Sequence, residues 1–119
     1  MLTNLYQAMI MDHYHSPRNK KNLQNPEKTT GSTNPSCGDS VSFELCIKDG
    51  IITEIAFQGA GCVLSQAAAS MLTEKLYQKP LNQVYELNTN YMLELIGIEL
   101  GPTRLRCVLL PLEALQKIK

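Results

Sequence analysis

Between Val41 and Phe57 the residues change character at almost every step. Val41, Phe43, Leu45 and Ile47 alternate with Ser42, Glu44, Cys46 and Lys48; after Asp49-Gly50 the alternation resumes through Ile51, Thr53, Ile55 and Phe57. A period of two sends one set of side chains to a core and the other to solvent, and Asp-Gly supplies the positive-φ turn of a two-residue connection. The stretch predicts an antiparallel hairpin with one buried face. Cys46 falls on the polar side, away from Phe43 and Leu45, and reads as an incidental strand thiol.

The flanks read as helix. Leu2, Leu5, Met9 and His13 recur at helical spacing and Pro17 stops the run, which predicts a helix over 3–14. After the hairpin comes "GAGCVLSQAAASMLTEKLYQK", where Gly59, Ala60 and Gly61 leave room for close backbone approach. Strong helix formers from Val63 to Gln78 place Cys62 at a strand-to-helix junction. Beyond Pro80, "LNQVYELNTNYMLELIG" reads as two short helical pieces broken at Asn88-Thr89. Leu105, Val108, Leu112 and Leu115 are again helical, with Pro111 in their midst; either the helix kinks there or it begins later, with Pro111 in its first turn. From Ser16 to Ser40 the chain is polar and turn-rich and reads as a solvated connector. There is no internal repeat.

Composition narrows the function classes. At 119 residues and 44% hydrophobic content, the chain is expected to form one domain over 1–119. Eleven basic residues balance eleven acidic ones without a run of either sign, so no footprint for nucleic acid or an anionic membrane is present. The N-terminus lacks the pattern of a signal peptide, and nowhere do about 18 apolar residues run together, so a cytoplasmic protein without a membrane span is expected. In a reducing compartment the four cysteines read as free thiols or metal ligands rather than as two disulfides.

One of those cysteines sits in "NPSCGDS", where Cys37 and Asp39 stand two positions apart and no second cysteine lies within three residues. Its partners must come from elsewhere. Cys62 at a helix start and Cys107 beside Gly101-Pro102 also lie where chain geometry changes, and loops and helix N-termini favour the thiolate that binds metal. With Asp39 they make four possible ligands, a set that suits tetrahedral zinc or an iron-sulfur cluster. Separations of 25 and 45 residues between Cys37, Cys62 and Cys107 do not by themselves single out a shared site. His13, on an apolar stripe, and His15, beside Pro17, are not expected as ligands; Met9, Met11 and Met71 read as core fillers.

The segments "YQAMIMDHYHSPRNKKNL", "NPSCGDS", "GAGCVLSQAAASMLTEK" and "RLRCVLLPLEAL" resemble the U-type iron-sulfur cluster assembly scaffolds, the IscU, SufU and NifU N-terminal family. The resemblance spans nearly the whole chain, and C-G-D followed by G-x-G-C-x-x-S is its specific part. It implies an α+β fold of the SufE/NifU-like kind: a small antiparallel three-stranded sheet covered on one face by helices, with a metal site at one end. The third strand is then expected between Glu27 and Gly31. Carried over residue by residue, Cys37, Asp39, Cys62 and Cys107 match the family's ligands, and Cys46 matches none.

Two departures shape the functional expectation. IscU-type members carry a histidine just before the last cysteine and a Leu-Pro-Pro-Val-Lys segment upstream; this chain has Arg106 and "LGPTRLRC". SufU-type members share the basic residue but usually carry about twenty extra residues between the second and third cysteines, which this chain lacks. Arginine has no lone pair for a metal, so Arg106 does not replace a ligating histidine. Three thiolates and a carboxylate sum to about minus four, which makes Arg104 and Arg106 candidate counter-charges around the site.

The resemblance implies a carrier. It takes sulfur from a cysteine desulfurase and iron from a donor, assembles a [2Fe-2S] cluster and delivers it to apo iron-sulfur proteins, as a monomer or weak homo-oligomer. The alternative is a zinc-dependent sulfurtransferase in which Cys107 or Cys62 accepts the persulfide; a structural zinc module is a third reading.

Overall fold

The structure is a computed structural model that describes residues 2–36 and 38–118. Helix α1 (Leu2–His15) is followed by strands β1 (Lys28–Asn34), β2 (Asp39–Lys48) and β3 (Ile51–Ala60). Helices α2 (Val63–Leu76), α3 (Gln83–Glu86), α4 (Thr89–Ile96) and α5 (Pro102–Gln116) complete the chain. The strands form one antiparallel sheet in the order β1-β2-β3. Helices α2 and α5 pack on its apolar face, α1 lies along α2, and α4 lies against α2 and α5. The core is Val41, Phe43, Leu45, Ile55 and Phe57 from the sheet, closed by Ala68, Leu72, Val108 and Leu115 from the helices. No helix is long and apolar enough to cross a membrane among the described residues.

The hairpin forms as its alternation dictates, with one change of register. Asp49 (φ 53°) and Gly50 (φ 77°) turn the chain between paired Lys48 and Ile51, the double positive φ that a two-residue turn matching strand twist requires. Pairing then jumps from Ile47 with Ile52 to Cys46 with Glu54, leaving Thr53 as the extra residue of a β-bulge. The bulge turns Ile52, not Ile51 or Thr53, into the core, where it is fully buried. The simple alternation expected for β3 is corrected there.

The segment expected to be a solvated connector has a structural job. Asn19 and Lys21 pair with both backbone groups of Phe57, capping the open edge of β3 (2.9 and 3.2 Å). The chain then crosses the polar face of the sheet: Leu23 N donates to the Glu44 carboxylate (2.7 Å), and Glu27 N reaches Leu45 O (2.9 Å) on the opposite side of β2. From there β1 runs to Asn34, longer than the expected 27–31. Its composition, KTTGSTN, hides it; pairing with β2 and a hydrogen bond from the Thr30 hydroxyl to Ala114 O of α5 hold it in place (2.8 Å).

Among the helices, α2 ends at Leu76, two residues before the expected Gln78, which has φ 62°. The Asn88 side chain caps α4 by accepting from Tyr91 N (2.9 Å), as the Asn-Thr break implies. Helix α5 begins with Pro102 in its first turn and contains Pro111 in its interior, so the later start at Pro111 is not adopted. Of the methionines expected as core fillers, Met71 is buried, but Met9 and Met11 are 40% and 42% exposed. Helix α1 packs chiefly on α2, and its Leu5, Met9 and Met11 are left exposed.

His13 is a buried joint between α1 and α2. Its Nδ1 lies 2.7 Å from the Ser70 hydroxyl and its Nε2 3.4 Å from the Glu74 carboxylate, and Arg18 N donates to the same hydroxyl (2.8 Å). Burial first, and then the Arg18 guanidinium, hold the imidazole below its ordinary pKa, against the opposing pull of Glu74 and Asp12. A base with a depressed folded pKa binds its proton first in the unfolded chain. The stability is therefore full above the ordinary histidine value of about 6.5 and is lost as pH falls through it. Asp12, held low by Arg18, gives way only at more acidic pH. The melting temperature of metal-free protein should accordingly fall between pH 7 and 5, and His13→Gln should flatten that decline; an equally steep decline in the variant would assign it to other groups.

Candidate metal centre

The strand β2 begins where the core face begins. Asp39 has the same parity as Val41 and Phe43, so its carboxylate points inward at the sheet's end and is only 1% exposed. Before it, Asn34 accepts from Ser36 N (3.2 Å) and Gly38 takes φ 71°, turning the chain out of β1. Cys37 lies outside the described residues.

Opposite stands the β3-to-α2 junction. Cys62 is the N-cap of α2, and its Sγ accepts from Ser65 N (3.5 Å). The same residue's backbone N–H donates to Asp39 Oδ1 (2.7 Å), tying carboxylate and thiol residue together. Gly61 makes this approach possible. It holds φ 135°, and a Cβ there would come within 2.8 Å of Asp39 Cα and 2.9 Å of Asp39 Cγ. Gly59 is similarly crowded, by Val41 Cα (3.2 Å) and Gln66 Oε1 (2.9 Å). The close backbone approach expected from "GAG" is what the two glycines provide.

The third donor comes from α5, whose buried Cys107 lies between the exposed Arg104 and Arg106 and the apolar Val108. Ligand atoms of Asp39, Cys62 and Cys107 all lie within 4.8 Å of one another. Donors around a tetrahedral zinc, at about 2.0–2.3 Å each, stand about 3.3–3.8 Å apart, so modest side-chain rotation closes this set on an ion. Two sulfurs and one carboxylate oxygen, with Asp39 and Cys107 buried and Cys62 half-buried, fit a thiophilic metal and not calcium or magnesium.

Other residues named from the sequence lie outside this group. Cys46 sits half-buried on the far side of the sheet, its Sγ 3.9 Å from Asn25 O. His13 is engaged at the α1–α2 joint, and His15 is exposed. Arg104 and Arg106 form no ion pair among the described residues. Sequence reasoning missed Gln66, buried one helical turn beyond Cys62; its only signal was a lone amide in an otherwise small and apolar run.

Comparison with known proteins places this arrangement in company. Residues 5–118 match the family model described as the NifU-like N terminal domain. The zinc-dependent sulfurtransferase SufU of Bacillus subtilis is 32% identical, over 98% of this chain and 90% of that protein. The iron-sulfur cluster assembly scaffold protein IscU of Escherichia coli K12 is also 32% identical, over 93% of this chain and 88% of its own. Among solved structures, a SUF-system protein of Fervidobacterium islandicum AW-1, described as a candidate cluster assembly scaffold, superposes with a TM-score of 0.81 at 24% identity, covering 92% of each chain. The N-terminal part of a NifU-like protein from Brucella abortus gives 0.76 at 19% identity, over 96% of this chain and 91% of that one. These two likenesses speak for the fold.

Proposed function

The chain belongs to the NifU-like N-terminal domain family, and from that premise we propose that it is an iron-sulfur cluster assembly scaffold. It would assemble a [2Fe-2S] cluster on Cys37, Asp39, Cys62 and Cys107, drawing sulfur from a cysteine desulfurase and iron from a donor, and pass it to apo-proteins in the cytoplasm. The observation that carries this reading is the convergence of Asp39, Cys62 and Cys107 from three separate elements at one end of the sheet. Cys37, two positions before Asp39, supplies the fourth donor.

The donor set suits cargo that must leave. Thiolates hold soft iron, whereas the hard carboxylate of Asp39 binds such a centre less firmly than a fourth thiolate would, so one bond is easier to release. The N–H of Cys62 donates to the Asp39 carboxylate, offsetting part of its charge and giving it a partner when it lets go. Arg104 and Arg106, exposed beside Cys107, offset part of the thiolate charge.

A second reading is favoured by Arg106 standing before Cys107 and by the SufU relative's coverage of 98% of this chain. Here zinc holds the thiolates, and the freed thiolate of Cys107 or Cys62 attacks the outer sulfur of the desulfurase persulfide. The sulfur-sulfur bond breaks, the desulfurase cysteine leaves as thiolate, and the acceptor becomes the persulfide, with no net oxidation.

One preparation separates the two. Protein purified without oxygen and supplied with iron, cysteine and a desulfurase should hold iron and acid-labile sulfide in equal amounts, about two of each per cluster. Zinc with no sulfide, together with labelled-sulfur transfer that slows in Arg106→Gln at unchanged zinc content, would replace the scaffold by the relay. Neither metal would sink both.

A further inference from the structure

Gln66 is 4% exposed on α2, in a place where an apolar chain of equal length would bury at lower cost. Its Nε2 donates to Ser40 O (3.2 Å) and to Ser65 Oγ (3.0 Å). Both amide hydrogens are thereby used, and the reversed amide would set Oε1 against the Ser40 carbonyl oxygen. Oε1 itself is buried with no hydrogen-bond partner among the described residues. An orphaned acceptor of that kind costs about 1–3 kcal/mol, so stability alone does not account for a glutamine here.

The contacts around it close into a ring. Ser40, held by Gln66, is bonded in the chain to Asp39; Asp39 Oδ1 accepts from Cys62 N (2.7 Å); Cys62 O accepts from Ser65 Oγ (3.1 Å); and Ser65 Oγ accepts from Gln66. We propose that Gln66 is a positioning residue of the metal centre, fixing the strand end that carries Asp39 against the helix start that carries Cys62. This rests on the metal-site reading above. Through the ring, the separation between carboxylate and thiol is set by hydrogen bonds of defined length rather than by adjustable apolar packing, which is how surrounding groups orient metal ligands.

The test uses cobalt(II) as probe with the full chain. Gln66→Met keeps length and volume and removes both hydrogen bonds. It should weaken cobalt affinity 10–100-fold in chelator competition, the usual range for losing a group that orients a ligand. The thiolate-to-metal and ligand-field absorption of the loaded protein should also shift. The metal-free melting temperature should fall no further than in Gln116→Met, a control that removes two comparable amide bonds, to Val84 O and Leu87 O, elsewhere on the molecule. Ser65→Ala opens the same ring at another point and should move the spectrum in the same sense, which keeps the test alive if Gln66→Met does not fold. Wild-type affinity and spectrum in either ring variant, or an equal affinity loss in Gln116→Met, would overturn the assignment. Failure of the wild-type protein to take up cobalt would instead overturn the metal-site reading and this inference with it.

Discussion

Alanine at Gly61 should abolish metal uptake and destabilise the fold by about 2–6 kcal/mol. Two costs add. A residue with a Cβ is strained at φ 135°, by about 1–3 kcal/mol. The Cβ would also lie 2.8 Å from Asp39 Cα, closer than real Cβ atoms come to backbone, so β2 must move away from the start of α2. That movement breaks the 2.7 Å hydrogen bond from Cys62 N to a carboxylate that is almost wholly buried, adding about 1–3 kcal/mol for the charge left short of a donor. Gly50→Ala is the control. It has φ 77° but nothing within 4 Å of the added Cβ, so it reports backbone strain alone and should leave metal content unchanged. Metal per chain and thermal melts of both variants decide the matter: full metal content in Gly61→Ala would show that Asp39 and Cys62 need not be in contact for binding.

How much of this was legible depends on whether the signal is local. The hairpin was, because alternation and Asp49-Gly50 act within a few residues; its bulge at Thr53 was not, because a one-residue slip leaves both Ile51 and Ile52 apolar and only packing chooses between them. Cys62 at a helix start was equally local, and "GAG" announced a close approach without saying what approached. Strand β1 was invisible to pattern: KTTGSTN has no apolar face of its own and becomes a strand by pairing with β2 and docking against α5. Only the family resemblance led to it. The crossing segment from Asn19 to Glu27 was missed for the same reason, since its backbone, not its side chains, makes the decisive contacts. The meeting of Asp39, Cys62 and Cys107 is non-local altogether. Spacing could not give it, resemblance named its members, and geometry brings three of them within reach of one another.

Removing the metal should then show that this convergence contributes to holding the fold together. β2, the start of α2, and α5 meet at the site through Asp39, Cys62 and Cys107, so an ion bound there links segments far apart in sequence and binds the native chain in preference to the unfolded one. At a free metal concentration of a thousand times Kd, mass action adds about 4 kcal/mol. Chelation should therefore lower the wild-type melting temperature clearly, by about 15 °C for a chain of this size. Serine substitutions test where that stabilisation resides. A neutral hydroxyl is a poor substitute for a thiolate on a soft metal, so Cys37→Ser, Cys62→Ser and Cys107→Ser should each lose most of their metal. Each should also melt near the chelated wild type and gain little when metal is restored. Cys107 is buried, so its hydroxyl replacement adds a small penalty of its own, which the metal-free melt measures separately. Cys46, across the sheet, should behave as wild type with and without metal after the same substitution. A metal-dependent rise in melting temperature that survives in Cys62→Ser, or disappears in Cys46→Ser, would place the ion somewhere other than the sheet end where these three elements meet.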